Sequence, residues 1–518
     1  MSEHHSLENR HPGRMLYPAL SLFFLAMGIF LRLHMLGAKS LWLDEASSVT
    51  FARQPWLEFL RTMWYGEVNM AFYYFVLRGW LHLGDTEFWL RSLSALFGVA
   101  ALAATYFLGK RFLSPQAGFA AAALLAVNSF HIQYSQELRS YSLIVLLLVL
   151  SASAFLAAME TPHRSHLWVI YAVLSALAIY TQVFAVFVIA SQWLVLTPGR
   201  IKRLGFTRLF LVAAGLSLMV TPVAAVLVLE NKGQIDWVPR PSGAGVFDVL
   251  QNLSGTVAGA QVTLRGVILL ALYGLVWALA VVGALRGTQD RDGKPATNVA
   301  VSLLISWLAF PLAAMLLVSF AKPIFYPRYL LMCVPAVVLL AGQGLAVLYQ
   351  QAKRTRLISS VFFVAMIFLS ALGTRDYFAS FRAYGHDWRA VTNYVLSNQQ
   401  PGDAAIFYTF SGHRVFEYYA TREREEGQAS SSPDILFPLR LDRAVIEKRE
   451  QPYRRIWFVV HQTRSSAVTD EQTRMIRSAL ETHFQLLQEK TFPGAGATRG
   501  EDGTITVALY AAALPVDR

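Results

Sequence analysis

The sequence predicts a polytopic α-helical membrane protein with about eleven transmembrane helices, interfacial helices in its first outer loop, and a C-terminal soluble α/β domain. Three observations predict it. Of 518 residues, 55% are hydrophobic and only 15% charged, with a mean hydropathy of +0.41, whereas soluble proteins carry about 25% charged residues. Long apolar runs recur up to residue 373, each close to the ~20 residues a helix needs to cross the hydrocarbon core. Beyond residue 374 these runs stop, and short apolar strands alternate with amphipathic segments.

The formal net charge is +12. Its main reading is topological, because Lys and Arg hold loops on the cytoplasmic side; attraction to anionic lipid phosphates is the second. The basic residues are scattered among apolar spans, which argues against nucleic acid as a partner. Cys333, the only cysteine, lies in an apolar run, so no internal disulfide forms and compartment is not indicated.

Residues 1–14 read as a polar, basic cytoplasmic tail. The apolar run that follows is too long for a cleaved signal peptide and continues through Arg32-Leu33-His34, so a retained first span with the N-terminus inside is expected. Spans are placed at 15–36, 87–108, 116–131, 141–159, 166–181, 183–198, 209–229, 265–285, 298–320, 329–349 and 357–373. With this count the clusters Lys110-Arg111, Arg200/Lys202/Arg203/Arg208, Arg286/Arg291/Lys294 and Lys353/Arg354/Arg356 all fall inside. Val68 to Leu83 is short, aromatic and interrupted by Arg78. It is laid on the membrane surface, a depth that suits Trp64, Tyr65, Tyr73, Tyr74 and Trp80. Leu167 to Thr197 is too long for one crossing and is divided near Tyr180-Thr181-Gln182. The outer loops are then 37–86, 132–140, 230–264 and 321–328. Arg328, in a short outer loop, departs from the charge rule.

The membrane domain is thus expected over 15–373 and an extracytoplasmic α/β domain over 374–518. In the latter, Asp387 to Gln399 and Thr469 to Phe484 read as helices. Ala404 to Tyr408, Ile456 to His461 and Thr504 to Ala511 read as strands. Glu423 to Pro433 reads as a mobile loop.

Three polar clusters gather on the outer side. In Ser40-Leu41-Trp42-Leu43-Asp44-Glu45-Ala46, two adjacent carboxylates follow the first span. Asp44 is either a functional acid or the N-cap of a helix beginning at Glu45. Gln133 to Tyr141 is a polar loop holding Glu137 and Arg139, either a functional pair or an internal charge balance. Lys322 to Tyr329 offers Arg328 between aromatics and prolines, either as an interfacial anchor or as a phosphate clamp, since guanidinium presents a rigid fork to phosphate oxygens. A carboxylate base, a second carboxylate and a guanidinium suit displacement at a sugar carbon that bears a lipid phosphate. The base takes the acceptor proton, and Arg or a metal stabilises the leaving phosphate.

At these residues the chain resembles the GT-C superfamily of membrane glycosyltransferases, in its bacterial branch related to protein O-mannosyltransferases and the lipid A aminoarabinose transferase. Four stretches over residues 15–375 carry the resemblance: Ser40 to Ala46; Tyr73-Tyr74 through Trp80 to Asp85-Thr86-Glu87-Phe88-Trp89-Leu90-Arg91; Tyr134 to Tyr141; and Tyr326-Pro327-Arg328-Tyr329. It implies an N-inside bundle, Asp44 as catalytic base, Glu137 as a second acid near the acceptor or a metal, Arg328 on the donor phosphate, and inversion at the anomeric carbon. Glu45, Asn69, Tyr73, Arg139, Tyr141, Gln182 and Tyr329 complete the expected substrate-binding set. The expected co-substrate is a polyprenyl-phosphate sugar in the cytoplasmic membrane of a bacterium, and the acceptor a glycan, lipid or protein. Many relatives have His-Pro-Pro where this chain has Asn69-Met70-Ala71, and Thr-His where it has Thr181-Gln182. Both departures weaken the case for a bound divalent metal. Two other classes compete. A carrier of lipid-linked saccharides would place charge midway through its spans. A non-catalytic relative would bind a glycan or partner through its outer domain.

Overall fold

The computed structural model describes residues 13–229, 237–256, 262–286, 295–379, 387–408, 411–427, 431–436, 453–462, 467–492 and 504–512. The first twelve residues, Arg291 and Lys294 of one basic cluster, and residues 428–430 of the expected mobile loop lie outside them. A helix stands at each predicted span. Seven are long and apolar enough to cross a membrane: Glu87–Phe112, Tyr141–Glu160, Phe206–Val226, Leu264–Arg286, Thr297–Val318, Pro327–Gln351 and Lys353–Ala379. Ala19–Leu33, Pro115–Ala126 and Ser165–Thr181 are shorter apolar helices, and Ala185–Trp193 has nine residues. Each of the eleven predicted spans therefore holds a helix, but among the described residues seven of them reach the length and apolarity of a crossing.

Local chemistry explains the shortened ones. The expected span 116–131 is two helices, because the Asn128 side chain accepts from His131 N at 2.9 Å and starts a new helix, Ser129–Ser135. An Asn at this position supplies the acceptor that orphaned first-turn N–H groups need. The expected span 183–198 ends at Trp193, and Pro198 occupies the first turn of the next helix, Pro198–Leu204, where its missing N–H costs nothing. Val68 to Leu83 forms a 3₁₀ turn and the ten-residue helix Ala71–Trp80. At 1.5 Å per residue that helix is about half the thickness of the hydrocarbon core, too short to cross.

Contact density divides the chain into two compact units, one of residues 1–34, 60–76 and 91–377, the other of residues 35–59, 77–90 and 378–518. In the first, Tyr141–Glu160 and Val334–Gln351 are almost wholly buried, while Phe206–Leu229, Leu264–Arg286 and Lys353–Ala379 expose Leu218, Leu275, Val364 and Phe368, side chains suited to lipid. Close backbone approach holds the interior. A Cβ on Gly344 would strike the Val276 carbonyl, and one on Gly342 the Ala117 carbonyl, so helix contact there depends on residues without side chains.

The second unit contains a five-stranded sheet of order β2-β1-β3-β5-β4, with β1 Ala404–Tyr408, β2 Asp434–Leu436, β3 Arg455–Gln462, β4 Phe484–Phe492 and β5 Thr504–Ala512. β1 is parallel to β2 and β3, whereas β5 is antiparallel to β3 and β4. Ile406, Phe458, Val460, Ala508 and Tyr510 form the core under Leu480. Helix Trp388–Asn398 begins at Asp387, whose side chain accepts from Ala390 N at 3.0 Å. Two sequence expectations are corrected here, and one strand is new. The helix expected to reach Phe484 is Ala467–Glu481, and Phe484 opens β4. β4 is exposed along nearly its whole length, so an edge strand with no buried face gave no alternation to read. Helix Gly412–Glu425 covers the first residues of the expected mobile loop.

Candidate active site

Eight of the ten candidate residues belong to the first unit: Asn69, Tyr73, Glu137, Arg139, Tyr141, Gln182, Arg328 and Tyr329. Arg328 is not in a loop, as the sequence suggested. Tyr326 is the extended N-cap and Pro327 the first residue of a helical turn, Pro327–Leu330, which fixes Arg328 within it. Three rings surround the guanidinium, with its carbon 4.2 Å from the centroid of Trp237, 5.4 Å from Tyr329 and 5.6 Å from Tyr326. Such cation–π contacts are worth about 0.5–2 kcal/mol each, more as water is excluded. Tyr329 also meets Phe184 at 4.9 Å, just past the Thr181-Gln182 turn. There Asn69 Oδ1 accepts from Val183 N at 2.8 Å, and Gln182 is buried. The two positions at which the resemblance expects histidine are thus neighbours.

Glu137 follows the helix Ser129–Ser135 and is buried, with Gln133 Nε2 donating to its Oε1 at 3.4 Å. The segment that presents it is fixed from several sides. Gln136 Nε2 donates to the carbonyls of Leu31, Arg32 and His34, at 3.3, 3.2 and 2.8 Å, and its Oε1 accepts from Tyr377 at 3.0 Å. The fully buried Arg32 donates to the Leu125 carbonyl at 3.1 Å, the Ala126 carbonyl at 3.3 Å and His131 Nδ1 at 2.8 Å. Guanidinium at the last carbonyls of helix Pro115–Ala126 is favourable, because those groups have no partner within the helix. His131, accepting at Nδ1, carries its proton on Nε2.

Tyr134 is buried on the helix Ser129–Ser135. Burial pushes its hydroxyl well above the ordinary range; Glu137 adds to the shift and Arg328 opposes it. Its ring lies 4.8 Å from that of Tyr141. On the other side, Ser94 links Tyr73, at 3.0 Å, to the Arg139 carbonyl, at 3.1 Å. Arg139 Nη1 donates to the Tyr74 hydroxyl at 3.3 Å. The sequence analysis names Tyr134 and Arg32 without giving either a role in the site, and does not reach Trp237 or Ser94. None has a spacing signal, since each meets its partner across dozens of residues.

Asp44 and Glu45 belong to the second unit. The helix there is Leu43–Arg53 with Trp42 as N-cap, so the alternative in which Asp44 itself caps a helix is corrected: the cap lies two residues earlier. Glu45 is fully buried and accepts from Trp42 N at 3.3 Å, which makes it the carboxylate that supports the helix start. Asp44 is partly exposed in the first turn. Ser48 Oγ donates to its carbonyl at 2.9 Å. Among the described residues, no three His, Cys, Asp or Glu side chains converge as a metal-ligand set.

Comparison with known proteins places this architecture. The apo ArnT from Cupriavidus metallidurans superposes with a TM-score of 0.55 at 15% identity, over 96% of this chain and 97% of that one. The same protein bound to undecaprenyl phosphate gives 0.53 at 14% identity, over 96% and 98%. The chain has the GT-C fold. The archaeal oligosaccharyltransferase AglB from Archaeoglobus fulgidus, in complex with an inhibitory peptide and a dolichol-phosphate, shares that fold with a TM-score of 0.53 at 12% identity, over 98% of this chain and 75% of that one. Residues 71–226 match the family model for dolichyl-phosphate-mannose-protein mannosyltransferase, so the sequence match and the GT-C fold agree over the segment that holds Tyr73, Glu137 and Gln182. No curated protein sequence matches the chain.

Proposed function

We propose that this GT-C protein is a membrane glycosyltransferase that moves a sugar from a polyprenyl-phosphate donor to an acceptor hydroxyl. The reaction occurs on the outer face of a bacterial cytoplasmic membrane, with the N-terminus inside and residues 374–518 outside. The observation that carries the proposal is the Arg328 guanidinium set over the rings of Trp237, Tyr326 and Tyr329. A guanidinium held against aromatic faces presents its donors in a fixed direction, and their rigid fork suits phosphate oxygens. The relatives support the donor class, because their structures hold undecaprenyl phosphate and dolichol-phosphate.

In this reading the acceptor oxygen attacks the anomeric carbon, and the bond from that carbon to the phosphate oxygen breaks with inversion. The acceptor proton passes to the Asp44 carboxylate. The lipid phosphate leaves as an anion whose charge Arg328 offsets. Being a weak base, it requires no proton at departure. Glu137 orients the acceptor. Purified protein in detergent, incubated with a polyprenyl-phosphate sugar and a cell-envelope extract as acceptor, tests the roles. Asp44→Asn is expected to lower turnover by about 10²–10⁴-fold, the usual contribution of a positioned base, with expression and donor binding retained. Full turnover in that variant would remove Asp44 as the base. Retention of anomeric configuration would remove single displacement.

A further inference from the structure

The helix that carries Asp44 is short. Leu43–Arg53 has eleven residues, below the 12–15 at which even good helix formers hold alone in water. What holds it lies hundreds of residues away, within the same compact unit. Ahead of its start, Leu41 N donates to the Tyr419 hydroxyl at 2.8 Å and Trp388 N donates to Ser40 Oγ at 3.2 Å. At its first turn, Arg414 Nη1 donates to Ser47 Oγ at 3.0 Å, and the same guanidinium lies 4.8 Å over the Phe51 ring. At its end, Arg53 pairs with Asp85 at 2.8 Å, and the Asp85 carbonyl accepts from Tyr418 at 2.7 Å. Glu87, nearly buried, takes Tyr419 at 3.2 Å, Arg422 at 2.9 Å and Arg389. Four of these partners, Arg414, Tyr418, Tyr419 and Arg422, are on one helix, Gly412–Glu425.

We infer that helix Gly412–Glu425 of the C-terminal domain is the positioning element for Asp44, with Arg414 and Tyr419 as its positioning residues. The inference rests on the proposed role of Asp44 as base. It gives the C-terminal domain a part in the chemistry that neither the sequence motifs nor the relatives assign. Tyr419 links the segment before the Asp44 helix to Glu87, so one hydroxyl sets the entry of that helix. Arg414 reaches Ser47, three residues on from Asp44. A misplacement of about 1 Å at a catalytic group costs on the order of 10²-fold in rate, so loss of these contacts is felt in turnover before it is felt in donor affinity.

The test uses the full-length protein in detergent and compares wild type, the double variant Arg414→Gln/Tyr419→Phe, and Arg414→Lys with Tyr419 intact. Hydrogen exchange is followed in residues 41–53 and in strands β1 and β3, alongside initial rates at varied donor. The expected result for the double variant is exchange at least about 10-fold faster in 41–53, with β1 and β3 still protected, kcat lower by about 10–100-fold and donor KM unchanged; Arg414→Lys recovers most of the rate. Unchanged exchange in 41–53 overturns the inference, as does faster exchange with full kcat. Full activity of Asp44→Asn also overturns it, by removing the base. That failure is distinguishable, because exchange in 41–53 would still rise in the double variant.

Discussion

Replacing Arg32 by Leu tests whether the segment that presents Glu137 is held from beneath. The wild-type guanidinium serves three acceptors outside its own helix: the carbonyls of Leu125 and Ala126 and the Nδ1 of His131. Leu restores none of them. Each buried acceptor left without a donor costs about 1–3 kcal/mol. His131 recovers part of its loss by turning to Ser135 Oγ, already 3.4 Å from Nδ1, and a buried charge is removed at the same time. The Leu125 carbonyl keeps the Asn128 N–H at 3.4 Å, so two acceptors lose their donor; at the lower bound for each the local cost is about 2 kcal/mol, which corresponds to about 30-fold in the equilibrium for local opening. Hydrogen exchange in the purified protein reads this directly, because the amides of Ile132 and Gln136 are bonded within the helix Ser129–Ser135 and its ends. Exchange there is expected to rise about 30-fold in Arg32→Leu and by less in Arg32→Lys, whose ammonium retains donors but not the fork. Turnover should fall in parallel as Glu137 loses its seat. Unchanged exchange over 129–137 would show that Gln136 and Asn128 suffice, and would refute the role given to Arg32.

Two further outcomes follow from the same geometry. Trp237→Ala strips one face from Arg328 and is expected to raise donor KM about 2- to 30-fold, the rate equivalent of about 0.5–2 kcal/mol, with little change in kcat; a pure kcat effect would place Trp237 elsewhere in the cycle. In the C-terminal domain, Arg477 holds Glu489 at 2.6 and 3.1 Å and lowers its carboxyl from the ordinary 4.5. A lowered carboxyl stabilises the fold above that ordinary value and loses its contribution as pH falls through the folded one. The pair is partly exposed, so the effect is about 0.2–1 kcal/mol: thermal unfolding of Glu489→Gln should trail wild type at neutral pH and converge with it as pH falls below the carboxyl's lowered folded value, and a gap that persisted in acid would contradict the assignment.

How much was legible follows from how local each signal is. The spans were legible because twenty apolar residues in a row have few alternative readings. Their interruptions were not, since one side chain decides them: Asn128 ends a predicted span by capping the next helix, and Pro198 does the same further on. β1, β3 and β5 announced themselves by apolar runs. Edge strand β4, exposed on both sides of Phe-Gln-Leu-Leu-Gln-Glu-Lys-Thr-Phe, had no pattern to show. At the candidate site the motif residues were legible as short words. Their supports were not, because Arg32 meets His131 across 99 residues and Leu41 meets Tyr419 across 378, and no spacing rule survives such distances.

The adjacent acids at 44 and 45 posed the sharpest ambiguity in the sequence, and the helix resolves its structural half. Successive residues on an α-helix point about 100° apart, so two neighbours cannot both serve the same face. Glu45 takes the inward direction: it is fully buried and bonded to Trp42 N. Asp44 takes another and keeps partial exposure. A structural use for one acid is therefore no argument against a chemical use for the other. The helix start that seemed to compete with catalysis is supplied by Glu45, whose carboxylate accepts from Trp42 N. Turnover by Glu45→Gln would then be limited by helix order, and should track hydrogen exchange in 43–53. Turnover by Asp44→Asn should fall with that exchange unchanged.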